Sequence, residues 1–409
     1  MDGIFRRPSF LDFGPCPLDP PDLKRPTLTI DGKKPSALRA AIRRNCPRLP
    51  GVYGMINRTG ELIYVGKAKL LRTRLLGYFL RGNRRQKPGR IVREAVRITW
   101  EIAPNEFSAL LRELELIRRF QPRLNVQGQP QRLRRAYLCL GRRPAPHAFA
   151  ACKPPRTAEL CFGPFPGLFR TQQAVRVLND LFQLRDCPQQ QKMDFGNQSE
   201  LFPIIRPAGC LRLDIGHCSG PCAGRCTRED YERQFQSLVA FLRDEDISPL
   251  EDLQKQERQA AGELLFERAA ILNERVQSLL WLRHHLARLR QALSQSFIYP
   301  VRNHDGQESH ILIHHGSVQA VLTPGDLLSP KTALSRLDIA FQKPVDCDVP
   351  FTQGIDVVLL VASWFRRFPG ERERVWEVSA YRKALARGKR RPSRPSVTDS
   401  EPKPSKRRA

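Results

Sequence analysis

The sequence predicts an α+β protein built from several modules, and three observations lead to that class. Short strand-like runs joined by turns alternate with helical segments in residues 47–128. Five cysteines fall within residues 187–226. Residues 227–293 carry a helical periodicity rich in leucine and alanine. A chain of 409 residues is long enough for two to four domains with hydrophobic cores of their own.

The composition is strongly basic. Lys and Arg number 69 against 41 Asp and Glu, a net charge of +28, which indicates a polyanionic partner such as nucleic acid or an anionic membrane surface. The longest apolar run, Val357 to Ala362, is too short to cross a bilayer, and the N-terminus lacks the apolar core of a signal peptide. We therefore expect neither a membrane protein nor a secreted one, and cysteines that are thiols or metal ligands.

Most of the excess charge lies in two segments. Residues 41–130 hold 19 basic and 6 acidic residues, interleaved with periodic apolar ones, which predicts a folded domain with a basic face. Residues 382–409 hold 11 basic and 2 acidic residues with many Pro and Ser and no apolar period. We expect a disordered basic tail from residue 381, which either keeps the chain soluble or contacts DNA non-specifically.

The first basic segment predicts a small α+β unit. Val52 to Ile56 and Glu61 to Val65 are strand-like, and the Asn-Arg-Thr-Gly turn between them predicts a hairpin. A helix is expected after Gly66 as far as about Leu80. A third strand is expected from Arg97 to Ala103, and a further helix begins at the N-cap Asn105 and stops at Pro122. This unit carries a candidate catalytic set: Tyr53, Tyr64, Lys67, Arg74, Tyr78, Glu113 and Asn125.

These residue types suit the hydrolysis of a phosphodiester. Glu113 lies at the edge of an apolar helix face, and a half-buried carboxylate can hold one divalent cation. Lys67 and Arg74 can stabilise the additional charge on the phosphorus. A Tyr hydroxyl near Lys⁺ is expected to have its ionised form favoured, so that it could take a proton from water. Packing and surface roles are the alternative for a scattered set like this one.

A resemblance makes the nuclease interpretation specific. Gly51-Val52-Tyr53, followed by Tyr64-Val65-Gly66-Lys67, resembles the signature of GIY-YIG nucleases. Ala109 to Glu113 and Gln121 to Val126 resemble the same domain in UvrC excinucleases. The resemblance implies that Glu113 binds the single Mg²⁺ (or Mn²⁺) ion and that Tyr64 is the base. It implies that the site or the phosphate is oriented by Tyr53, Lys67, Arg74, Tyr78 and Asn125. For DNA contact we single out Lys67, Lys69, Arg72 and Arg74.

The cysteine cluster indicates a metal centre. Cys187, Cys210, Cys218 and Cys222, with Cys226 four residues on, are soft ligands suited to zinc or an iron–sulfur cluster, with free buried thiols as the alternative. The stretch from Cys161 to Cys222 resembles the cysteine-rich region of UvrC, where four such cysteines carry a 4Fe–4S cluster. Cys226 lies beyond that pattern and leaves zinc open.

The helical segment contains a short motif. Glu263 to Ala270 resembles the UVR motif, a helical hairpin through which UvrC binds UvrB, and Phe266 matches the aromatic anchor of that interface. The resemblance implies a UvrB-like partner. The alternative is an ordinary amphipathic helix pair that packs within this chain.

The C-terminal part is expected to form a β-rich module of unassigned role. Phe297 to Leu327 alternates like strands around a turn at residues 303–306, and Ile355 to Val361 is predicted as a buried strand. His310, His314 and His315 could bind metal, but exposed strand histidines are the simpler expectation. The segment is too short for the second nuclease and the helix-hairpin-helix pair of UvrC, so the chain resembles its N-terminal half or the short homologue Cho.

The sequence thus predicts a nuclease of nucleotide excision repair that makes one metal-assisted incision in damaged double-stranded DNA, by resemblance on the 3′ side of the lesion. A non-catalytic DNA- and UvrB-binding adaptor and a free-standing GIY-YIG nuclease are the alternatives. We expect a cytoplasmic bacterial protein associated with the nucleoid. The predicted divisions are 1–46 (N-terminal extension), 47–128 (nuclease), 129–226 (cysteine-rich), 227–293 (helical), 294–380 (β-rich) and 381–409 (tail).

Overall fold

The computed structural model describes residues 10–17, 25–32, 34–80, 82, 86–125, 135–188, 190–196, 209–342 and 354–387. The predicted basic tail lies outside these ranges from residue 388 onward. The α+β class is confirmed, with helices and three antiparallel sheets in the described chain. None of the described helices has the length and apolar character needed to span a membrane.

The first module is a four-stranded sheet between two layers of helix and loop. Its strands are antiparallel in the order β1-β4-β2-β3. The predicted hairpin, third strand and following helix are confirmed. The helix predicted after Gly66 is shorter than expected, and a second helix follows it. The elements are β1 (Thr27–Asp31), α1 (Pro35–Asn45), β2 (Gly51–Asn57), β3 (Leu62–Ala68), α2 (Leu71–Gly77), α3 (Lys87–Glu94), β4 (Ala95–Ile102) and α4 (Glu106–Phe120).

Alternation along the central strand β2 supplies both faces of this sheet. Tyr53 and Met55 join the core with α1, α2 and α3, whereas Val52 and Ile56 join a second core with α4. The N-terminal extension contributes to the sheet, since β1 pairs with β4 along its whole length. The folded nuclease module therefore begins well before residue 47.

Helix α4 is held in place by the buried side chain of Arg112, which is 1% exposed. Its guanidinium donates to the carboxylate of Glu101 on β4 at 3.0 Å and to that of Glu115 at 2.7 Å. It also donates to the carbonyls of Phe13, Gly14 and Pro15. One side chain thus joins the helix, the sheet and the N-terminal segment.

The middle of the chain forms a second sheet with helices packed against it. Strand β5 lies between β6 and β7, and α5, α7 and α9 share one large core with them. The predicted helix from Thr227 is confirmed, with Thr227 and Asp230 forming a capping box. The elements are β5 (Arg135–Leu140), β6 (Ala148–Ala151), β7 (Leu160–Pro166), α5 (Leu168–Leu181), α6 (Leu211–Asp214), α7 (Arg228–Arg243), α8 (Ser248–Gly262) and α9 (Phe266–Leu293).

The C-terminal module is a three-stranded sheet covered by helices. The predicted strands are confirmed from Phe297 to Leu322, with the first hairpin and the order β10-β9-β8, whereas the end of the predicted stretch, Pro324–Leu327, is helical. The term β-rich understates the helical content of the module. Its elements are β8 (Phe297–Arg302), β9 (Glu308–His314), β10 (Ser317–Leu322), α10 (Pro324–Leu327), α11 (Pro330–Gln342), α12 (Ile355–Arg367), α13 (Pro369–Arg372) and α14 (Val378–Ala386).

The buried strand predicted at Ile355 to Val361 is wrong, because these residues form the first half of helix α12. A short apolar run has no period that separates a buried strand from a buried helix. Apart from Asp356 the run is apolar, because Ile355 and Val358 pack against α9, while Val361 faces the core shared with α4.

The three C-terminal histidines also differ from the simplest expectation. His310 is buried on β9, and its Nδ1 bonds to the hydroxyl of Tyr381. His315 Nδ1 lies 3.2 Å from the carbonyl of Leu293, and His314 Nδ1 lies 2.9 Å from Ser296 Oγ. Each ring thus has its own partner in the fold.

The C-terminal module docks against helix α4 of the nuclease module. Phe107 meets Tyr299 and Trp364 edge-on, at ring distances of 5.5 and 5.2 Å. At the N-terminus of α4, Asn105 donates to Asn303 at 3.0 Å, so the capping residue is itself held by the other module.

Candidate active site

Three tyrosines form the floor of the candidate site. Tyr53 on β2 is fully buried, and its hydroxyl lies 2.8 Å from that of Tyr78, which follows α2. Tyr64 on β3 completes a triangle with ring centres 6.0 to 6.3 Å apart. The structure therefore brings together three side chains from different elements, of which the outer two, Tyr53 and Tyr78, are 25 residues apart in the sequence.

Gly66 makes this arrangement possible. A Cβ atom at this position would lie 2.5 Å from the hydroxyl of Tyr53. The glycine of the motif is therefore required for close approach of β3 to a buried ring.

Glu113 on α4 reaches β3 across the sheet. Its Oε1 accepts from the backbone N–H of Lys67 at 3.1 Å, and the side chain is half-buried. Burial raises the pKa of Glu113 to about 7, although Lys67 and Arg74 lower it. The neighbouring cations thus compensate the carboxylate charge only in part.

This chemistry fits a divalent ion. Mg²⁺ is commonly bound in proteins by one or two carboxylates, with water or substrate phosphate filling the other positions. Glu113 supplies one such carboxylate, and an added cation would offset the burial that keeps it protonated.

The ammonium group of Lys67 is engaged by a residue that the sequence analysis missed. Its Nζ lies 3.0 Å from Oε1 of Glu106 in the first turn of α4. Glu106 precedes Glu113 by seven residues, and this two-turn spacing could have placed both carboxylates on one face.

Arg74 lies at the open side of the tyrosine triangle. Its guanidinium is 5.6 Å from the ring centre of Tyr78, and the adjacent Tyr53 raises its pKa. Arg74 therefore stays charged beside the site, where it can meet an anionic phosphate.

The expectation that a nearby lysine favours the ionised form of Tyr64 is wrong for the metal-free chain. Burial, with Tyr78 and Glu113 beside it, raises the pKa of Tyr64, and only Arg74 opposes the shift. The ammonium group of Lys67 is instead ion-paired with Glu106. Lys87 on α3, which no spacing had indicated, stands 5.7 Å from the ring centre of Tyr64.

Asn125 positions the edge strand of the sheet. Its amide accepts from the N–H of Val65 at 2.9 Å and donates to the carbonyl of Val65 at 2.8 Å. The side chain thereby acts as one further strand residue beside Tyr64 and Gly66. Asn125 is a positioning residue, since both of its amide groups are used by the backbone.

The remaining residues singled out for DNA contact lie nearby. Lys69 is exposed after β3. Arg72 donates to the carbonyl of Cys46, so part of its side chain is used within the fold. Direct DNA contact by either residue stays a prediction.

The predicted cysteine ligands are neighbours in the structure. Burial raises the pKa of Cys218 to about 11, and the adjacent Cys187, Cys210 and Cys222 add to the shift. Cys226 lies next to Cys222 and has Ser219 as a hydrogen-bonding partner.

The surroundings of this cluster are suited to thiolate ligands. Arg185 Nη1 lies 3.6 Å from the sulfur of Cys187, and the N–H of Gly220 lies 3.5 Å from that of Cys218. Burial also raises the pKa of Cys222, and a cationic centre would compensate the charge of such buried thiolates. Among the described residues, however, no group of three His, Cys, Asp or Glu side chains is arranged closely enough to hold a metal ion.

A cysteine pair outside the cluster was missed. Cys139 and Cys161 face each other across β5 and β7 with their sulfurs 3.0 Å apart. Their separation of 22 residues gave no signal, because the contact depends on strand register.

Comparison with known proteins identifies both modules. Residues 49–126 match the UvrC-like GIY-YIG domain, and residues 136–241 match the middle domain of the UvrC/Cho excinucleases. This chain is UvrC-like in its nuclease and middle domains. Together the two matches cover the tyrosine site and the cysteine cluster.

Curated relatives extend the same assignment. UvrABC system protein C of Methylobacillus flagellatus is 33% identical over 238 residues, which cover 58% of this chain and 38% of the relative. The Porphyromonas gingivalis protein of that name is 30% identical over 280 residues, 68% of this chain and 45% of the relative. The UvrC-like chain thus spans about two fifths of the length of these relatives.

A solved structure is similar to the first module. It is the N-terminal GIY-YIG endonuclease domain of Thermotoga maritima UvrC, bound to its catalytic divalent cation, magnesium. The sequence identity is 37%, and the match covers 21% of this chain and 97% of that one, with a TM-score of 0.19.

The UVR-like motif forms the turn of a helical hairpin in this UvrC-like chain. Residues 263–265 connect α8 to α9, and Phe266 is the first residue of α9. Phe266 and Leu264 are 68% and 69% exposed, and Leu265 and Ile271 are exposed beside them. The tip therefore presents a contiguous apolar surface to solvent.

The burial of Glu113 predicts a pH-dependent stability. Its pKa is about 7 in the folded chain against an ordinary 4.5, so the folded state retains a proton that the unfolded state releases between these values. This contribution to the free energy of unfolding is complete below pH 4.5 and is lost as the pH rises through 7. Denaturant unfolding in a metal chelator should show it as a wild-type-minus-Glu113→Gln difference that falls over this range. A difference independent of pH would contradict the assignment.

Proposed function

We propose that this chain is a DNA endonuclease of nucleotide excision repair that makes one incision in damaged duplex DNA. The observation that carries the proposal is the carboxylate of Glu113, held 3.1 Å from the N–H of Lys67, beside three clustered tyrosines and Arg74. A carboxylate with incompletely compensated charge and an adjacent arginine suit metal-assisted attack on a phosphodiester.

Each residue of the candidate site has a separate proposed role in the reaction. Arg74 would bind and neutralise the scissile phosphate at the open side of the site, while Lys67 and Asn125 hold β3 in place. Tyr64, once its hydroxyl has released its proton to solvent, would accept the proton of the attacking water at its phenolate oxygen, and the hydrogen-bonded pair of Tyr53 and Tyr78 would orient it. A divalent ion bound by Glu113, Mg²⁺ or Mn²⁺, would polarise the phosphate, stabilise the leaving oxygen and lower the pKa of Tyr64.

We propose, by resemblance to the family, that the cut lies 3′ of the lesion. The adaptor alternative keeps DNA and partner binding without cutting, and a free-standing nuclease would need neither the cysteine cluster nor the hairpin. The match of residues 136–241 to the excinuclease middle domain favours the repair enzyme over the free-standing one.

Substitution of the proposed metal ligand and base should abolish nicking. Glu113→Gln and Tyr64→Phe are each expected to lower the rate on lesion-bearing duplex at least about 100-fold. Binding of the same DNA should be largely retained. Nicking of a labelled lesion duplex in Mg²⁺, resolved to the nucleotide, measures both rate and position.

The matched control is Tyr137→Phe, which removes a hydroxyl from β5 outside the site. It should nick like the wild type. An active Glu113→Gln or Tyr64→Phe protein would refute the catalytic assignment, and a wild-type protein that binds but never nicks would support the adaptor.

We further propose that Cys187, Cys210, Cys218 and Cys222 hold a 4Fe–4S cluster. The four thiols are electrostatic neighbours, and Arg185 and the N–H of Gly220 point at two of their sulfurs. Such donors are common around iron–sulfur clusters because they stabilise negative charge on sulfur. Zinc with Cys226 among its ligands is the alternative.

Metal analysis separates these two centres. Protein purified without oxygen should be brown and contain iron and acid-labile sulfide, and Cys218→Ser should lose both. Cys152→Ser, on an exposed cysteine outside the cluster, is the control and should keep them. A colourless wild-type protein with stoichiometric zinc would instead identify the zinc site.

The exposed hairpin tip is proposed to bind a UvrB-like protein. An aromatic side chain surrounded by aliphatic ones is typical of an interface hot spot. Phe266 and its neighbours have this composition and do not pack within the described chain. Packing inside the chain was the alternative, and their exposure argues against it.

Truncation of the anchor should weaken this contact. Phe266→Ala is expected to reduce UvrB affinity at least about tenfold, since hot-spot truncations cost about 2 kcal/mol or more. Phe169→Ala, which removes another highly exposed phenylalanine on α5, should leave it unchanged. Calorimetry with purified UvrB makes the measurement, and equal affinities for both variants would place the contact elsewhere.

A further inference from the structure

A groove lies where the middle module, helix α9 and the C-terminal module meet. It has a volume of about 840 Å³. Its walls come from the end of β7, the C-terminal half of α9 and one face of α12. The C-terminal module thus completes a surface that the regions matched to the UvrC family do not form by themselves.

Helical spacing shows that the lining residues of each helix lie on one side of that helix. On α9 the lining residues include His285, Arg288 and Ala292, which are three and four residues apart. On α12 they include Leu359 and Arg366, two turns apart. The groove therefore runs between two aligned helix faces that each carry an arginine.

The charge of the groove is entirely positive among the described residues that line it. Four arginines contribute and no Asp or Glu does: Arg135, Arg288, Arg366 and Arg372. Arg135 is ion-paired with the buried Asp356 behind the wall. Arg372 donates to Gln295 at 2.9 Å, and its guanidinium lies 4.4 Å from the ring centre of Phe297.

Two of these arginines have no ion pair with any residue that the structure describes. Arg288 and Arg366 are exposed, and the described structure gives neither a hydrogen bond nor an ion pair. Elsewhere on α9, Arg283 and Arg290 both pair with Asp244. Helix α9 therefore has paired arginines on another face and an unpaired arginine, Arg288, on the face that lines the groove.

We infer that this groove binds the phosphate backbone of DNA, independently of sequence. Guanidinium groups bind phosphate oxygens in bidentate geometry, and an open channel of arginines without acidic residues follows a backbone. Arginines spread over a groove of about 840 Å³ suit an extended polyanion better than a small free anion. The inference rests on the proposed function, because it places a second DNA contact on a nuclease.

The test is DNA binding in a chelator, in a Glu113→Gln background that does not cut. Arg288→Gln/Arg366→Gln should weaken binding of a labelled, lesion-free duplex at least about tenfold. It should also reduce the slope of log affinity against log salt by about one to two, since each phosphate contact contributes about 0.9. Arg275→Gln/Arg367→Gln removes the same charge from the same two helices outside the groove, and should change neither quantity comparably.

A second variant adds a negative charge to the groove and leaves all of its arginines in place. Ser363→Glu places a carboxylate among the lining residues and should weaken binding in the same direction. Inorganic phosphate at constant ionic strength should not displace the duplex. Unchanged affinity and slope in the double variant, or displacement by phosphate alone, would overturn the groove as a DNA site.

The outcomes separate the groove from the nuclease. Normal nicking by the parent chain together with unaffected binding by the double variant refutes only the groove. A parent that binds DNA through the groove but never nicks refutes only the proposed function.

Discussion

The buried guanidinium of Arg112 is the constraint on which the nuclease module depends. It is 1% exposed and is paired with Glu101, which is 2% exposed. A buried charge is costly unless partners compensate it, and here they come from α4, β4 and three carbonyls of the N-terminal segment, although Nε of Arg112 makes no hydrogen bond within the described chain. The pairing fixes how α4 lies on the sheet, and therefore where the next residue, Glu113, points.

Helix α4 links the candidate active site to the C-terminal module, which forms part of the proposed DNA groove. Glu113 and Glu106 face β3 and the tyrosines, while Phe107 and Leu111 pack against the C-terminal module. The same module supplies one wall of the arginine groove through α12. A single helix and the module docked on it thus join the cutting site to a second, positively charged surface.

Local signals predicted the parts of the fold that depend on local chemistry. The turn at Asn57, the cap at Asn105 and the hairpin at residue 303 were all visible in the sequence. Long-range register was not visible, so the pairing of β1 with β4 was missed. Helix α12 was misassigned because its apolar run carries no period.

The candidate site likewise has features that the sequence predicted and features that it did not. Its residues were found by motif, and the structure brings all seven to one sheet face or its border. Their electrostatics could not be predicted, because Glu106 diverts the charge of Lys67 and burial governs Tyr64. A motif specifies residue identity, whereas pKa depends on the completed packing.

The edge strand β1 has a consequence for dissecting the molecule. A fragment cut at residue 49, where the family match begins, would lose β1, which pairs with the outer side of β4, and the carbonyls that surround Arg112. It would expose a long strand edge of the kind through which proteins aggregate. The smallest soluble nuclease fragment of this chain therefore begins near residue 10, ahead of the recognisable motif.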